Sequence, residues 1–196
     1  MDSSQVAVVA TGGRRVPRGL RGLALTDLDG LTGFRRVVVA GSHAELSAVL
    51  TRLLRADRLD VEVAHVARPW QVRRALTGTA TRVPLIRDET GTVLTRAAYW
   101  LPPEGQQKIR GEGVVDDDWL FDGEITGVRI EPTTSMPGLR ASALSPRMRP
   151  TRWIAGRAAQ LGTTGALVVR DGVAGPRPVR RSTFYRHTAG WLRVAS

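Results

Sequence analysis

Residues 35–66 read RRVVVAGSHAELSAVLTRLLRADRLDVEVAHV, and this stretch decides the fold. Residues 37–40 form a short continuous apolar run rich in β-branched side chains, and Gly41 ends it. Such a run is typical of a parallel strand that is buried on both faces. Apolar and polar residues alternate over residues 60–66, which predicts a second buried strand. The stretch therefore predicts one β-α-β unit, in which two parallel strands are joined by a right-handed crossover.

The segment between the two strands predicts an amphipathic helix. Its apolar residues recur at the three- and four-residue spacing of one helix face. These residues are Leu46, Val49, Leu50, Leu53 and Leu54. Ser42, followed three residues later by Glu45, predicts a capping box in which the serine oxygen accepts the Glu45 amide proton and the carboxylate accepts the serine N–H. Since ligands of open α/β sheets bind beyond the carboxyl ends of the strands, Gly41, Ser42 and His43 are candidate ligand-binding residues.

The run VVVAGSHAELSAVLTRL resembles the nucleotide-binding segment of the diacylglycerol kinase, sphingosine kinase and NAD kinase superfamily, in which an apolar strand leads through GGDGT into a helix. Laid on that motif, Gly41 keeps the first glycine. Ser42 stands for the second glycine, His43 for the aspartate, Ala44 for the third glycine and Glu45 for the threonine. The resemblance implies a nucleotide-binding α/β domain followed by a β-rich domain.

Four of the five motif positions differ, including the acidic residue that the phosphoryl chemistry of the resembled family needs. A helix N-terminus binds phosphate through its free N–H groups and its positive dipole end, but the Glu45 carboxylate is expected to fill that place. The sequence therefore predicts a non-catalytic relative, a pseudoenzyme without a cofactor, that binds a phosphorylated small molecule or a lipid. If the chain is active, the resemblance implies a lipid or nucleotide kinase.

A second candidate phosphate site follows the predicted first strand, QVAVVA at residues 5–10. Gly12 and Gly13 can wrap a phosphate with backbone N–H groups, and Arg14 and Arg15 can close over it with guanidinium groups. A glycine pair after a strand is also a common turn without a ligand.

From about residue 79 the pattern changes from helical to alternating, with short apolar runs between turn residues. The sequence thus predicts an α/β N-terminal three-layer-like domain with a parallel sheet over residues 1–78. A β-rich sandwich or barrel-like domain follows over residues 79–196, with one helix near residues 152–161. Residues 170–173, Arg-Asp-Gly-Val, resemble the Asp-Gly-Glu turn of the β-rich domain in the lipid-kinase family.

The composition is that of a folded protein, with 42% hydrophobic residues in 196. It contains no cysteine, which excludes disulfides and thiolate metal sites. The N-terminus lacks the pattern of a secretory signal, and no run approaches the ~20 apolar residues of a membrane helix. These features predict a soluble, cytoplasmic protein without a transmembrane segment.

The chain is strongly basic, with a net charge of +11, and its charge is unevenly distributed. Residues 146–196 carry ten arginines and one acid, whereas residues 104–131 carry eight acids and three basic residues. This asymmetry suggests a nucleic-acid or anionic-lipid partner. The alternatives are that the arginines form a solvated face, or that the two regions pair within one chain or between chains of a homo-oligomer.

Basic and aromatic residues interleave in the C-terminal run PRPVRRSTFYRHTAGWLRV. Arg180, Arg181, Tyr185 and Arg186 are candidates to hold an anion or a nucleic-acid strand, as single-strand binders do. The alternative is a closing hairpin with its turn at residues 188–190, whose aromatic residues face the core.

No metal site and no catalytic residue is predicted. The acidic stretch VVDDDWLFDGE does not match the calcium-loop template, and a hairpin turn at Asp122 and Gly123 explains part of it. His43, His65 and His187 lack the spacing of metal ligands or of a catalytic triad.

Overall fold

A computed structural model of the chain describes residues 5–10 and 16–195. The chain divides into two compact units. Unit 1 contains Met1–Val83 and Ala189–Ser196, and unit 2 contains Pro84–Thr188. The first and last segments of the sequence therefore belong to the same unit.

Within the described residues, unit 1 is built on a six-stranded sheet. Its strands are β1 Val6–Val9, β2 Ala24–Leu25, β3 Arg36–Val39, β4 Glu62–His65, β5 Ala80–Val83 and β17 Trp191–Val194. Their order is β2-β1-β3-β4-β17-β5. All neighbours run parallel except β5, which pairs antiparallel with β17 at the edge.

The predicted β-α-β unit is confirmed. Strand β3 is buried along its whole length and pairs in parallel with β4. Helix α1, His43–Arg55, connects them and buries one face, including Leu46, Leu50 and Leu53. The other described helix of this unit is α2 Val72–Thr77, and 3₁₀ turns lie at Arg18–Leu20, Leu31–Gly33 and Pro69–Gln71. No helix in the described part of the chain has the length and apolar character needed to cross a membrane.

Unit 2 is a β-rich body of eleven described, antiparallel strands. They are β6 Ile86–Asp88, β7 Val93–Leu94, β8 Ala98–Leu101, β9 Ile109–Val115, β10 Asp118–Ile125, β11 Val128–Pro132, β12 Leu139–Leu144, β13 Pro150–Gly156, β14 Ala158–Arg170, β15 Val173–Ala174 and β16 Val179–Arg186. The long strand β14 pairs with β8, β9, β15 and β16. Fully buried Trp100 and Phe184 lie in the core, with ring centroids 6.2 Å apart. The predicted fold class, an α/β domain followed by a β-rich domain, is confirmed.

Two local predictions in unit 2 are wrong. Residues 152–161, predicted as a helix, lie in β13 and β14, where Ile154, Ala159 and Leu161 are buried in the two-residue alternation of strands. The alanines and glutamine there favour a helix, but burial in the sheet overrides that weak preference. Asp122 and Gly123, predicted as a turn, lie inside β10.

The division of the structure into units differs from the predicted boundary at residue 78, because the C-terminal strand β17 belongs to the sheet of unit 1. It pairs with β4 and β5 in the unit 1 sheet, whereas β16 pairs with β14 and β6 in unit 2. The alternative of a closing β16–β17 hairpin is therefore wrong. The reason is that the buried backbone of β4 offers β17 a parallel partner 126 or more residues earlier in the chain, which no local pattern reveals.

Candidate functional site

The strand order of the unit 1 sheet reverses between β1 and β3. The chain places β2 on one side of β1 and then crosses to place β3 and β4 on the other. Ligands of open α/β sheets bind outside the carboxyl ends of the strands at such a switch point. The carboxyl end of β1 and the described segment that follows β3 therefore mark the candidate site.

The segment after β3 is the start of helix α1, where the predicted capping box is confirmed. Ser42 Oγ accepts the amide proton of Glu45 over 3.3 Å. In return, Glu45 Oε2 accepts the Ser42 N–H over 2.5 Å and the Ser42 hydroxyl over 2.8 Å. The helix start thus carries a carboxylate of the protein itself, as the sequence predicted.

Gly41 makes room for that carboxylate. A Cβ atom added at Gly41 would lie only 2.2 Å from Glu45 Oε2 and 2.6 Å from Glu45 Cδ. The Glu45 side chain therefore folds back over the backbone of the residue before the cap. This contact explains why a glycine suits position 41 even though its neighbours differ from the resembled motif.

Two histidines meet at the same place. The rings of His43 and His65 lie edge to face with centroids 4.7 Å apart, and His65 Nε2 lies 2.8 Å from the Gly41 carbonyl oxygen. His65 is the last residue of β4, the strand that pairs in parallel with β3. This pairing brings His65 close to Gly41. His65 is not among the site residues that the sequence predicts, and the signal that points to it is its position at the carboxyl end of a strand.

The other predicted ligand-binding residues of unit 1 are Gly12, Gly13, Arg14 and Arg15, and they lie outside the described residues. Strand β1 ends at Val9, and Ala10 is its last described neighbour on that side. Their role as ligand-binding residues stays a prediction.

The four C-terminal candidates lie on β16, and their side chains alternate between the two faces of the strand. Arg181 and Tyr185 lie in register with Gly162 and Ala158 of β14, on the opposite face from the buried side chain of Phe184. Tyr185 carries the Arg87 guanidinium over its ring at 4.8 Å. The guanidinium of Arg186 donates to the Pro137 carbonyl oxygen over 2.8 Å. Arg180 is exposed.

Two aspartates of unit 2, Asp116 and Asp171, accept hydrogen bonds from backbone N–H groups. Asp116, at a φ of 50°, accepts the N–H groups of Arg157 and Ala158 over 2.9–3.0 Å. Asp171, in the two-residue turn between β14 and β15, accepts the N–H groups of residues 95–97. Within residues 5–10 and 16–195, no group of three or more His, Cys, Asp or Glu side chains is placed to hold a metal ion.

Solved structures share this fold over nearly the whole chain. An NAD kinase from Archaeoglobus fulgidus, solved in complex with ATP, matches with a TM-score of 0.63 and 13% identity, over 97% of this chain and 92% of that chain. A diacylglycerol kinase from Bacillus anthracis str. Sterne matches with a TM-score of 0.73 and 8% identity, over 98% of this chain and 97% of that chain. No protein-family model and no curated protein matches the sequence. The resemblance suggested by the segment around Gly41 is confirmed at the level of the fold: this chain has the fold of the NAD kinases and diacylglycerol kinases.

Proposed function

We propose that this chain is a non-catalytic protein with a kinase fold, which binds a phosphorylated small molecule or a lipid at the carboxyl edge of the unit 1 sheet. The ligand-binding residues of this proposal are Gly12, Gly13, Arg14, Arg15, Gly41, Ser42 and His43. The observation that carries the non-catalytic part is the position of the Glu45 carboxylate, which lies over Gly41 at the start of α1.

The carboxylate opposes a triphosphate at this helix start. A helix N-terminus attracts phosphate through free N–H groups and the positive end of its dipole. Here the Ser42 N–H already donates to Glu45, so a phosphate oxygen in that place meets a negative charge of the protein. Two like charges 4 Å apart repel by about 4 kcal/mol at an effective dielectric constant of about 20. Position 43, which holds the aspartate in the resembled motif, holds a histidine instead.

The segment after β1 supports the binding part of the proposal. Its sequence contains two glycines followed by two arginines, and the strand before it, β1, is the neighbour of β3, which leads to Gly41. Arginine binds phosphate through paired, charge-assisted hydrogen bonds, and glycine lets backbone N–H groups approach an anion closely. His43 lies at the start of α1, where its ring is edge to face with that of His65. A single phosphate group held mainly from the β1 side avoids the place that Glu45 takes.

The test separates catalysis from binding. The full chain is incubated with labelled ATP, magnesium and either diacylglycerol vesicles or NAD, and the products are separated. In parallel, Tm is measured with inorganic phosphate, ADP, NAD and phosphatidic acid vesicles. We expect no labelled lipid and no labelled NADP. We expect at least one phosphorylated probe to raise Tm, with the increase lost in the double variant Arg14→Gln, Arg15→Gln.

Labelled lipid or NADP in the first assay would contradict the non-catalytic assignment. An unchanged Tm with every phosphorylated probe would contradict the binding assignment. A Tm increase that survives the double arginine substitution would place the ligand elsewhere in the chain.

The variant Glu45→Gln is expected to bind ATP at least about tenfold more tightly than the natural chain, a gain of about 1.4 kcal/mol or more, because it removes a repulsion of at most about 4 kcal/mol that solvent partly screens. The glutamine side chain has nearly the same shape and keeps an oxygen that can accept the Ser42 N–H. The measurement is isothermal titration with ATP at low ionic strength.

The matched control is Asp60→Asn, which removes the same charge from unit 1 at an exposed position before β4. This variant is expected to leave ATP affinity within twofold of the natural chain, a span of about 0.4 kcal/mol. Equal affinities of the Glu45→Gln and natural chains would show that the carboxylate does not exclude the nucleotide.

A further inference from the structure

Unit 2 carries a groove on the outer face of its sheet. Strands β9, β14 and β16 lie side by side, and their alternation buries one set of side chains in the core and exposes the other. The exposed set forms two cross-strand rows in register. These rows are Glu112, Gly162 and Arg181, and Val114, Gln160 and Thr183.

Two depressions on this face share Gln160. The first has a volume of about 350 Å³ and is lined by both rows and by Trp119. The second has a volume of about 470 Å³ and reaches Tyr185 and Asp117. We call the two depressions together the outer groove. Each volume falls within the range of about 300–1,000 Å³ that is usual for ligand sites.

Trp119 and Gly162 shape the first depression. The Trp119 side chain is 60% exposed, which leaves indole surface open to a ligand. Glu112 and Arg181 stand on the strands to either side of Gly162, and the Glu112 side chain lies over Gly162, with Oε1 3.4 Å from the place of an added Cβ atom. Because neighbouring strands lie about 4.8 Å apart, these two charged residues are anchored about 10 Å from each other. The Glu112 carboxylate occupies part of the gap between these strands, so a ligand in the depression meets it directly.

The polar side chains around this gap are not used by the fold. Among the described residues, the side chains of Glu112, Gln160 and Arg181 have no hydrogen-bond or ion-pair partner. Together they offer a carboxylate acceptor, an amide that donates and accepts, and a guanidinium donor. Such a set suits a ligand with several hydroxyl groups.

The charge of the groove points to a neutral ligand. In the first depression Glu112 balances Arg181, and in the second two aspartates balance two arginines. This balance stands out in a chain with a net charge of +11. A phosphate backbone or an anionic lipid surface needs an excess of positive charge, which the groove lacks. An added peptide strand needs a free sheet edge, but β14 and β16 are paired on both sides.

We propose that the outer groove binds a neutral oligosaccharide, with one sugar ring packed on Trp119 and the next ring beyond Gln160. The C–H face of a pyranose is apolar and suits the exposed indole, while its hydroxyl groups meet Glu112, Gln160 and Arg181. Rows two residues apart along a strand are separated by about 6.7 Å, a spacing that accommodates successive rings of a chain. This inference is independent of the ligand proposed for unit 1.

The test is an NMR titration of the full chain with cellotriose, maltotriose and mannotriose, each in the millimolar range. The Trp119 indole N–H resonance is assigned from its loss in Trp119→Phe. We expect it to shift saturably with at least one trisaccharide. Affinity in the variants is read from the backbone N–H resonances of Gln160 and Gly162, and it is expected to fall about tenfold in Trp119→Ala, since an aromatic contact contributes about 1.4 kcal/mol. The variant Gly162→Val fills the gap and is expected to abolish binding.

Trp70→Ala is the matched control, because Trp70 is 70% exposed and belongs to unit 1. It is expected to leave the affinity unchanged. Circular dichroism checks that each variant is folded. The proposal is overturned if no trisaccharide shifts the Trp119 resonance, if Trp119→Ala binds as tightly as the natural chain, or if a twelve-residue oligothymidylate occupies the groove in place of the sugars.

Discussion

Replacing Arg36 by methionine is expected to lower the free energy of unfolding of unit 1 by about 3–5 kcal/mol. Arg36 begins β3 and is only 4% exposed. Its Nε donates to Glu62 over 2.6 Å, and its two terminal nitrogens donate to the carbonyl oxygens of Ala75, Leu76 and Gly78 over 2.7–3.1 Å.

These bonds make Arg36 the cap of helix α2. The last carbonyl groups of a helix have no partner within the helix, and here one guanidinium satisfies those of Ala75 and Leu76 in α2 and that of its C-cap residue Gly78. Methionine fills a similar volume but donates nothing. The substitution therefore leaves the buried carbonyl oxygens unpaired and removes the main partner of Glu62, which is the physical origin of the large effect.

The adjacent residue supplies the control. Arg35 also pairs with Glu62, over 3.3 Å, but its side chain is 65% exposed. Arg35→Met is expected to change the free energy of unfolding by less than about 1 kcal/mol, as exposed ion pairs do. Urea unfolding followed by circular dichroism measures both variants. Similar losses in the two variants would show that burial and capping do not distinguish the two arginines.

Replacing Asp88 by asparagine is expected to lower the free energy of unfolding of unit 2 by about 3–5 kcal/mol. The Asp88 side chain is fully buried at the end of β6. Its Oδ1 accepts the N–H and hydroxyl of Thr90 and the N–H of Thr92 over 2.7–2.9 Å, and its Oδ2 accepts from Arg170 Nε. An asparagine turns one of these acceptors into a donor that faces another donor, and it leaves the Arg170 charge without its counterion.

Glu89→Gln is the matched control for Asp88→Asn. Glu89 is the next residue, its side chain is 40% exposed, and it lies 3.9 Å from Arg170. Its carboxylate accepts the Thr183 N–H over 2.9 Å, a bond that a glutamine oxygen can keep. The expected loss is below about 1 kcal/mol. The double variant Asp88→Asn, Arg170→Met should lose less than the sum of the single variants, since both remove the same pair. Additive losses would contradict a direct interaction.

Much of unit 1 was predictable because its determinants are local. The β-branched run of β3, the apolar face of α1 and the Ser42–Glu45 capping box each lie within a few consecutive residues. Side chains so close in sequence meet whatever the rest of the chain does. The occupied helix start, on which the non-catalytic proposal depends, belongs to this class.

The neighbours of that helix start were not predictable in the same way. His65 reaches Gly41 only because β4 pairs with β3, and its sequence context resembles that of an ordinary packing residue. Arg36 lies in a charged pair at the start of an apolar run, and nothing in the sequence distinguishes it from exposed Arg35. The carbonyl groups that accept its hydrogen bonds come from Ala75, Leu76 and Gly78, which lie 39–42 positions later in the chain.

The sequence by itself determined the kind of each unit, the β-α-β element and the side chains at the start of α1, because periodicity and capping act over three or four residues. Only the tertiary structure decided that β17 joins the unit 1 sheet and that residues 152–161 are strands. It also decided that Arg36 and Asp88 are buried polar centres and that Trp119 borders a groove. These outcomes depend on which distant strands pair, because strand pairing fixes the partners and the burial of a side chain through residues that are far away in the chain.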